Sequence, residues 1–326
     1  MSDPLTLVRA IHFAALLSVA GAVFFKVFVA GPALRIGGDH TRLSNTVRFQ
    51  LACIAWSGLL LSAISGAAWL VIVAESMSGG SLSDVFSQDV LRTVLLRTGF
   101  GQDWIARFVL ALLLAGMLFP FLSPKQIKPA WINLAVVALA AGLTGSLAWA
   151  GHAVGAEGIE GIIHPAADFV HMVAAAAWVG TLLPLALLLA AAGQDAGSVA
   201  VARIATIRFS TFGVASVATL LVTGSINAWY LVGSIPAMTE TDYGRLLLLK
   251  IALFLIMVAI AAVNRLWLTP RLVQGTNSAA VVDALSQLRR NAILEVAIGA
   301  IIIAVVATLG TDPPGFEAAI HAHHFH

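Results

Sequence analysis

The chain has 326 residues, 60% of them hydrophobic and 10% charged, with a mean hydropathy of +0.95. Soluble domains carry about 25% charged residues, so a soluble fold is excluded and an all-α polytopic membrane protein is expected. A net charge of +2 excludes the basic footprint of a nucleic-acid binder, and a single cysteine, Cys53, excludes an internal disulfide and any cysteine-rich metal centre.

A helix that crosses a bilayer needs about 20 mainly apolar residues, and eight segments qualify. The first, residues 5–29, carries His12; the opening MSDPLTLVRAIHF lacks the basic n-region of a cleavable signal, so it reads as a retained helix. The second, 49–74, holds Cys53, expected to be packed, and Trp69; the third, 104–122, holds Arg107. The fourth spans 131–151, and a glycine-rich loop with His152, Glu157 and Glu160 leads to the fifth at 165–192, entered through HPAADFVH. The sixth (208–232), seventh (246–268) and eighth (291–310) follow, and the chain closes on TDPPGFEAAIHAHHFH.

Lysine and arginine alternate between the connecting loops. Arg35, Arg42 and Arg48 follow the first helix, Lys125 and Lys128 the third, Arg203 and Arg208 the fifth, and Arg271, Arg289 and Arg290 the seventh. The other loops have only Arg92, Arg97 and Arg245. By the positive-inside rule both termini are expected to be periplasmic.

Polar landmarks recur between the halves. His12 precedes Gly21 by nine residues, as His171 precedes Gly180; Arg48-Phe49 and Arg208-Phe209 begin 21 positions before Trp69 and Trp229. The stretches Thr98-Gly99-Phe100-Gly101 and Thr241-Asp242-Tyr243-Gly244 end six residues before Arg107 and Lys250. These matches predict a first four-helix repeat at 1–151, a second, parallel to it, at 152–310, and a His-rich periplasmic tail at 311–326. His12 and His171 are then equivalents, able to face each other across the central axis.

On a helix turning 100° per residue, His164, Asp168 and His171 fall within about 60° of arc. They share one face of the fifth helix, with His171 about 10 Å deeper than His164. Imidazole binds copper, zinc and haem iron, and a nearby carboxylate either ligates or orients a ligating histidine. Met172 adds a thioether, pointing about 100° away from His171. The bland readings are histidines tied across helices by hydrogen bonds, Pro165 in a first turn and Asp168 complementing a helix N-terminus. The tail histidines His321, His323, His324 and His326 suit metal capture, with a purification tag as the alternative. Arg107 and Lys250 are expected to snorkel or to pair with Asp103 and Asp242, and Arg265 is expected to pair with Glu295.

The segments HPAADFVHMVAAAAWVGTLLPLALLL, RFSTFGVASVATLLVTGSINAWYLVG and YGRLLLLKIALFLIMVAIAAVNRLWLTPRL resemble the bacterial copper resistance protein D family of inner-membrane proteins. The resemblance covers helices five to eight closely and the first four more loosely. It implies copper movement across the inner membrane, usually inward, beside a separate periplasmic copper-binding protein of the CopC type. It also implies copper ligation by His12, His152, His164 and His171. The expected protein is thus a transporter and not an enzyme, with the copper ion and the lipid bilayer as partners and no nucleic acid. Two alternatives stand beside it: a b-type haem protein with His12 and His171 as axial ligands, and a copper receptor that does not transport.

Overall fold

A computed structural model describes residues 4–36, 41–79, 82–87, 89–123, 129–150, 160–193, 195–232, 234–274 and 278–311. Among them every regular element is helical, and eight helices are long and apolar enough to cross a membrane. They are α1 (Pro4–Ile36), α2 (Arg42–Ser78), α3 (Gly99–Leu122), α4 (Ala130–Ala150), α5 (Gly161–Ala191), α6 (Ala196–Val232), α7 (Asp242–Leu272) and α8 (Ala279–Leu309). Several exceed the apolar stretches that mark them. Arg42 and Arg48 lie inside α2, and Arg203 and Arg208 inside α6, because backbone bonding carries a helix on into the polar flank where water solvates the side chains. Short helices at Leu82–Ser87, Val90–Arg97 and Ile235–Glu240 lie between spans.

The bundle is built around α1 and α5, the two most buried spans, with 72% and 61% of their apolar windows inside the protein. Each packs against the helix that follows it, against the other, and against both α4 and α8. The two cross at Gly21 and Gly180, where a Cβ on either glycine would run into the other helix's backbone. Only hydrogen at both positions permits that approach, the device by which membrane helices gain van der Waals contact in place of a hydrophobic driving force.

Two spans widen by one turn of π-helix, at Phe25–Ala30 in α1 and Asn264–Leu268 in α7. In α1 the wide turn carries Lys26, whose ammonium donates to the Phe121 carbonyl in the last turn of α3 and lies over the Phe121 ring. A helix's last carbonyls lack internal partners, and a lysine there satisfies one. At the opposite end of the bundle the hydroxyls of Thr6 in α1 and Thr311, just after α8, are 3.4 Å apart.

Matching caps stand at the starts of α3 and α7. Thr98 Oγ1 accepts from the Gly101 amide at 3.0 Å and donates to the Val94 carbonyl at 2.6 Å; Thr241 Oγ1 accepts from Gly244 at 3.0 Å and donates to Ala237 at 2.6 Å. One hydroxyl thus satisfies an orphan amide of the span and ties it to the short helix before it. The two glycines let that helix lie against the span, since a Cβ at either would strike its backbone.

Candidate functional site

The four described histidine and carboxylate residues that the sequence singles out lie on α1 and α5, in the half of the bundle where Thr6 meets Thr311. His12 is buried, and its Nδ1 is 3.1 Å from both the Ser62 carbonyl and Ser65 Oγ on α2. A carbonyl only accepts, so Nδ1 carries the proton and donates. The Ser65 hydroxyl is committed to the Leu61 carbonyl at 2.7 Å, which leaves its oxygen free to accept. Neutral His12 therefore presents an unprotonated Nε2, which is buried without a protein partner. Trp69 and Trp104 enclose the ring at centroid distances of 5.6 and 5.4 Å.

His171 repeats the arrangement in the second half. Its Nδ1 lies 2.9 Å from Thr223 Oγ1 on α6, and that hydroxyl donates to the Thr219 carbonyl at 2.7 Å. Thr223 accordingly accepts, Nδ1 donates, and Nε2 is again the free lone pair. A glycine faces each ring: Gly66 across from His12 and Gly224 across from His171. Histidines that bind metals hold their second ring nitrogen by such a hydrogen bond, which fixes both the tautomer and the ring orientation.

His12 turns Nδ1 to α2 and packs against the tryptophan pair, and His171 turns Nδ1 to α6. Each imidazole thus takes its hydrogen bond from the helix that follows its own.

His164 and Asp168 line one cavity of about 110 Å³ with Met172, Asn227, Arg9 and Lys250. Met172 thus reaches the same space despite its angular offset from His171, which is not part of that wall. His164 is 6% exposed and stacks on Tyr230 at 5.2 Å. Asn227 Nδ2 donates to Asp168 Oδ1 at 3.0 Å. Lys250 lies close enough to act electrostatically on both Asp168 and His171. Among the described residues, no group of three or more His, Cys, Asp or Glu side chains forms a ready metal cage. His152 and the tail residues His321, His323, His324 and His326 lie outside the described residues.

Other polar residues depart from expectation. Arg107 does not snorkel, and Asp103 acts on it electrostatically without forming a salt bridge. Arg107 is 3% exposed, donates to Ser146 O at 2.9 Å and Ser146 Oγ at 3.3 Å, and packs over Trp104. Asp242 pairs with Arg245, at 3.4 Å, and not with Lys250. Arg265 donates to Ser210 at 2.7 Å, whereas Glu295 accepts from Asn264 at 2.9 Å, so the expected ion pair is replaced by two neutral hydrogen-bond partners. Asn264 faces Glu295 on α8, and Arg265, about 100° further round the helix, turns instead to Ser210 on α6. Cys53, expected in the packing, is exposed. Sequence inspection missed Ser65, Thr223 and Trp104; the available signal was a hydroxyl on the helix after each histidine helix.

Comparison with known proteins agrees with this architecture. The family model for copper resistance protein D matches residues 203–309, and that for the copper resistance protein D-like N-terminal domain matches residues 1–162. Copper resistance protein D of Pseudomonas syringae pv. tomato is 30% identical over 98% of this chain and 100% of its own length. Inner membrane protein YebZ of Escherichia coli K12 is 32% identical over 94% of this chain and 97% of its own. Copper transport protein CutJ of Bacillus subtilis 168 is 28% identical over 78% of this chain and 45% of its own. No solved structure matches the chain. With eight membrane-spanning helices and relatives matched end to end, this is a copper-related, multi-pass protein of the inner membrane, and the chain belongs to the copper resistance protein D family.

Proposed function

We propose that the protein is a transporter, not an enzyme, and that it carries copper from the periplasm to the cytoplasm, accepting the ion at the end of the bundle where Thr6 meets Thr311. His164 and Asp168 receive the ion in their shared cavity, with Met172 as a soft neighbour, and His171 takes it at the next level through Nε2. The observation that carries this reading is the hydrogen bond from His171 to Thr223. Because Thr223 spends its own proton on Thr219, the imidazole is held in the tautomer that a metal ligand needs. Asp168, oriented by Asn227, supplies the negative charge.

The nearby cations Arg9 and Lys250 limit how tightly copper is held. A cargo site benefits from that limit, since conduction needs binding favourable enough to enter and weak enough to leave. We leave His12, enclosed by Trp69 and Trp104, outside this cargo path. His152 and the histidines of the tail gather the ion before entry, and a separate periplasmic protein of the CopC type delivers it. The matching caps of α3 and α7 and the paired crossing glycines support the reading that the chain is two parallel four-helix repeats, whose relative rocking exposes the cargo inward.

The test is copper influx into proteoliposomes holding a copper-sensitive dye, with bound copper measured on the same preparation. Asp168→Ala combined with His171→Ala should abolish influx and lower the copper content. Full influx with wild-type copper content in the double variant would remove the proposal, and binding without influx in the wild type would make the protein a receptor.

A further inference from the structure

A groove of about 310 Å³ lies between α6 and α7, apart from the cavity that holds His164 and Asp168. The two spans make few direct contacts, so their side chains form its walls, and Leu182 and Leu185 of α5 with Ala292 of α8 close it behind. On α6 the wall is one stripe at three- and four-residue steps: Ser210, Gly213, Val214, Val217, Ala218 and Leu221. From Ser210 to Leu221 that stripe rises about 16 Å at 1.5 Å per residue, close to half of a hydrocarbon core about 30 Å thick. Val214 and Leu221 are exposed, so the groove opens sideways to lipid.

One end of this apolar groove carries a positive charge. Arg265 lines it and is exposed, with Nη1 donating to Ser210 Oγ across the mouth at 2.7 Å. No described carboxylate forms an ion pair with it: Glu295, the nearest expected partner, accepts from Asn264 instead. Ser210 and Arg265 stand where the apolar runs 208–232 and 246–268 give out, and Trp267, exposed two residues on, is of the type enriched where hydrocarbon meets headgroups. A guanidinium there, anchored by one N–H, keeps further donors for a phosphate, whose oxygens match its planar fork. The groove is thus one leaflet deep, apolar along its length and cationic at its interfacial end.

We propose that this groove binds an anionic phospholipid from the leaflet at the end of the bundle away from Thr6 and Thr311. One acyl chain lies along the α6 stripe, and the phosphate accepts from Arg265. A zwitterionic lipid fits the groove equally well but carries its own ammonium, so it gains less from the cation; charge at the mouth, not shape, selects the occupant.

The full-length protein, delipidated in a non-ionic detergent and free of copper, is titrated with phosphatidylglycerol and with phosphatidylcholine of identical chains, and native mass spectrometry reads the bound lipid. A saturable first site is expected, with phosphatidylglycerol about tenfold tighter. Arg265→Gln should bring the two lipids to equal affinity. Arg271→Gln removes another exposed cation from the same end of α7 and should leave the preference intact. Ala218→Phe fills the groove from an exposed position on its wall and should weaken both lipids by more than tenfold; gel filtration and circular dichroism establish that the variants are folded. The absence of a saturable site, equal affinity for the two lipids in the wild type, an unchanged preference in Arg265→Gln, an equal loss of preference in Arg271→Gln, or unchanged affinity in Ala218→Phe would each overturn the proposal.

Discussion

His12 and His171 stand at the same place in the two halves, nine residues before the crossing glycines, each donating from Nδ1 to the next helix and each facing a glycine. Their surroundings differ in shape more than in charge. Arg107 acts on His12 and Asp103 on Arg107; Lys250 acts on His171 and Asp168 on Lys250. One scaffold thus orients two imidazoles in one tautomer with a cation beside each, and what sets them apart is the tryptophan pair that encloses His12. The tryptophans diverge in the same way, Trp69 being 2% exposed and Trp229 76% exposed.

The comparison breaks most decisively at the crossing point. Gly21→Val and Gly180→Val should each lose more than about 3 kcal/mol, because the added atoms meet backbone, which cannot change rotamer. Thermal unfolding in detergent followed by fluorescence should show similar losses for both; a tolerant position in one half alone would mean that the halves do not share this joint. Next in size is the support of the imidazoles. Thr223→Val should lower copper affinity by about 10- to 100-fold by releasing the His171 tautomer, while Ser65→Ala leaves it unchanged. An equal fall for both would restore His12 to the copper path.

Smaller effects sharpen the kinship of the halves. Thr98→Val and Thr241→Val each remove a cap worth about 1 kcal/mol, and matched losses in chemical unfolding are expected from the matched distances. The least effect belongs to Arg245→Ala. Its pair with Asp242 is solvent-exposed on both sides, and such pairs contribute about 0–1 kcal/mol, so no measurable change in unfolding should follow.

The fold was largely legible in the sequence because bilayer crossing imposes a length and a composition, and eight runs met both. Helix ends were less so: Arg42 and Arg203 read as loop residues, yet backbone hydrogen bonding does not stop where hydropathy does. Of the candidate site, His164, Asp168 and His171 announce themselves as rare polar residues on one helical face. Their partners do not. Asn227, Thr223 and Ser65 are unremarkable in helices already containing several small polar residues, and which one meets an imidazole depends on helix rotation, which apolar periodicity fixes poorly when a helix is apolar all round. The Arg265–Glu295 expectation failed for a related reason: which of two adjacent polar residues faces α8 depends on helix rotation, and Asn264 takes that place.

The contact between Gly21 and Gly180 also bears on motion. Helices that interdigitate side chains are locked in register, because sliding or turning drives ridges out of grooves. At the two glycines only backbone is in touch, while Leu16, Leu17, Ala20, Ala176 and Ala177 around them are buried in one apolar cluster. Pulling α1 and α5 apart therefore forfeits the backbone contact and the packing around it together.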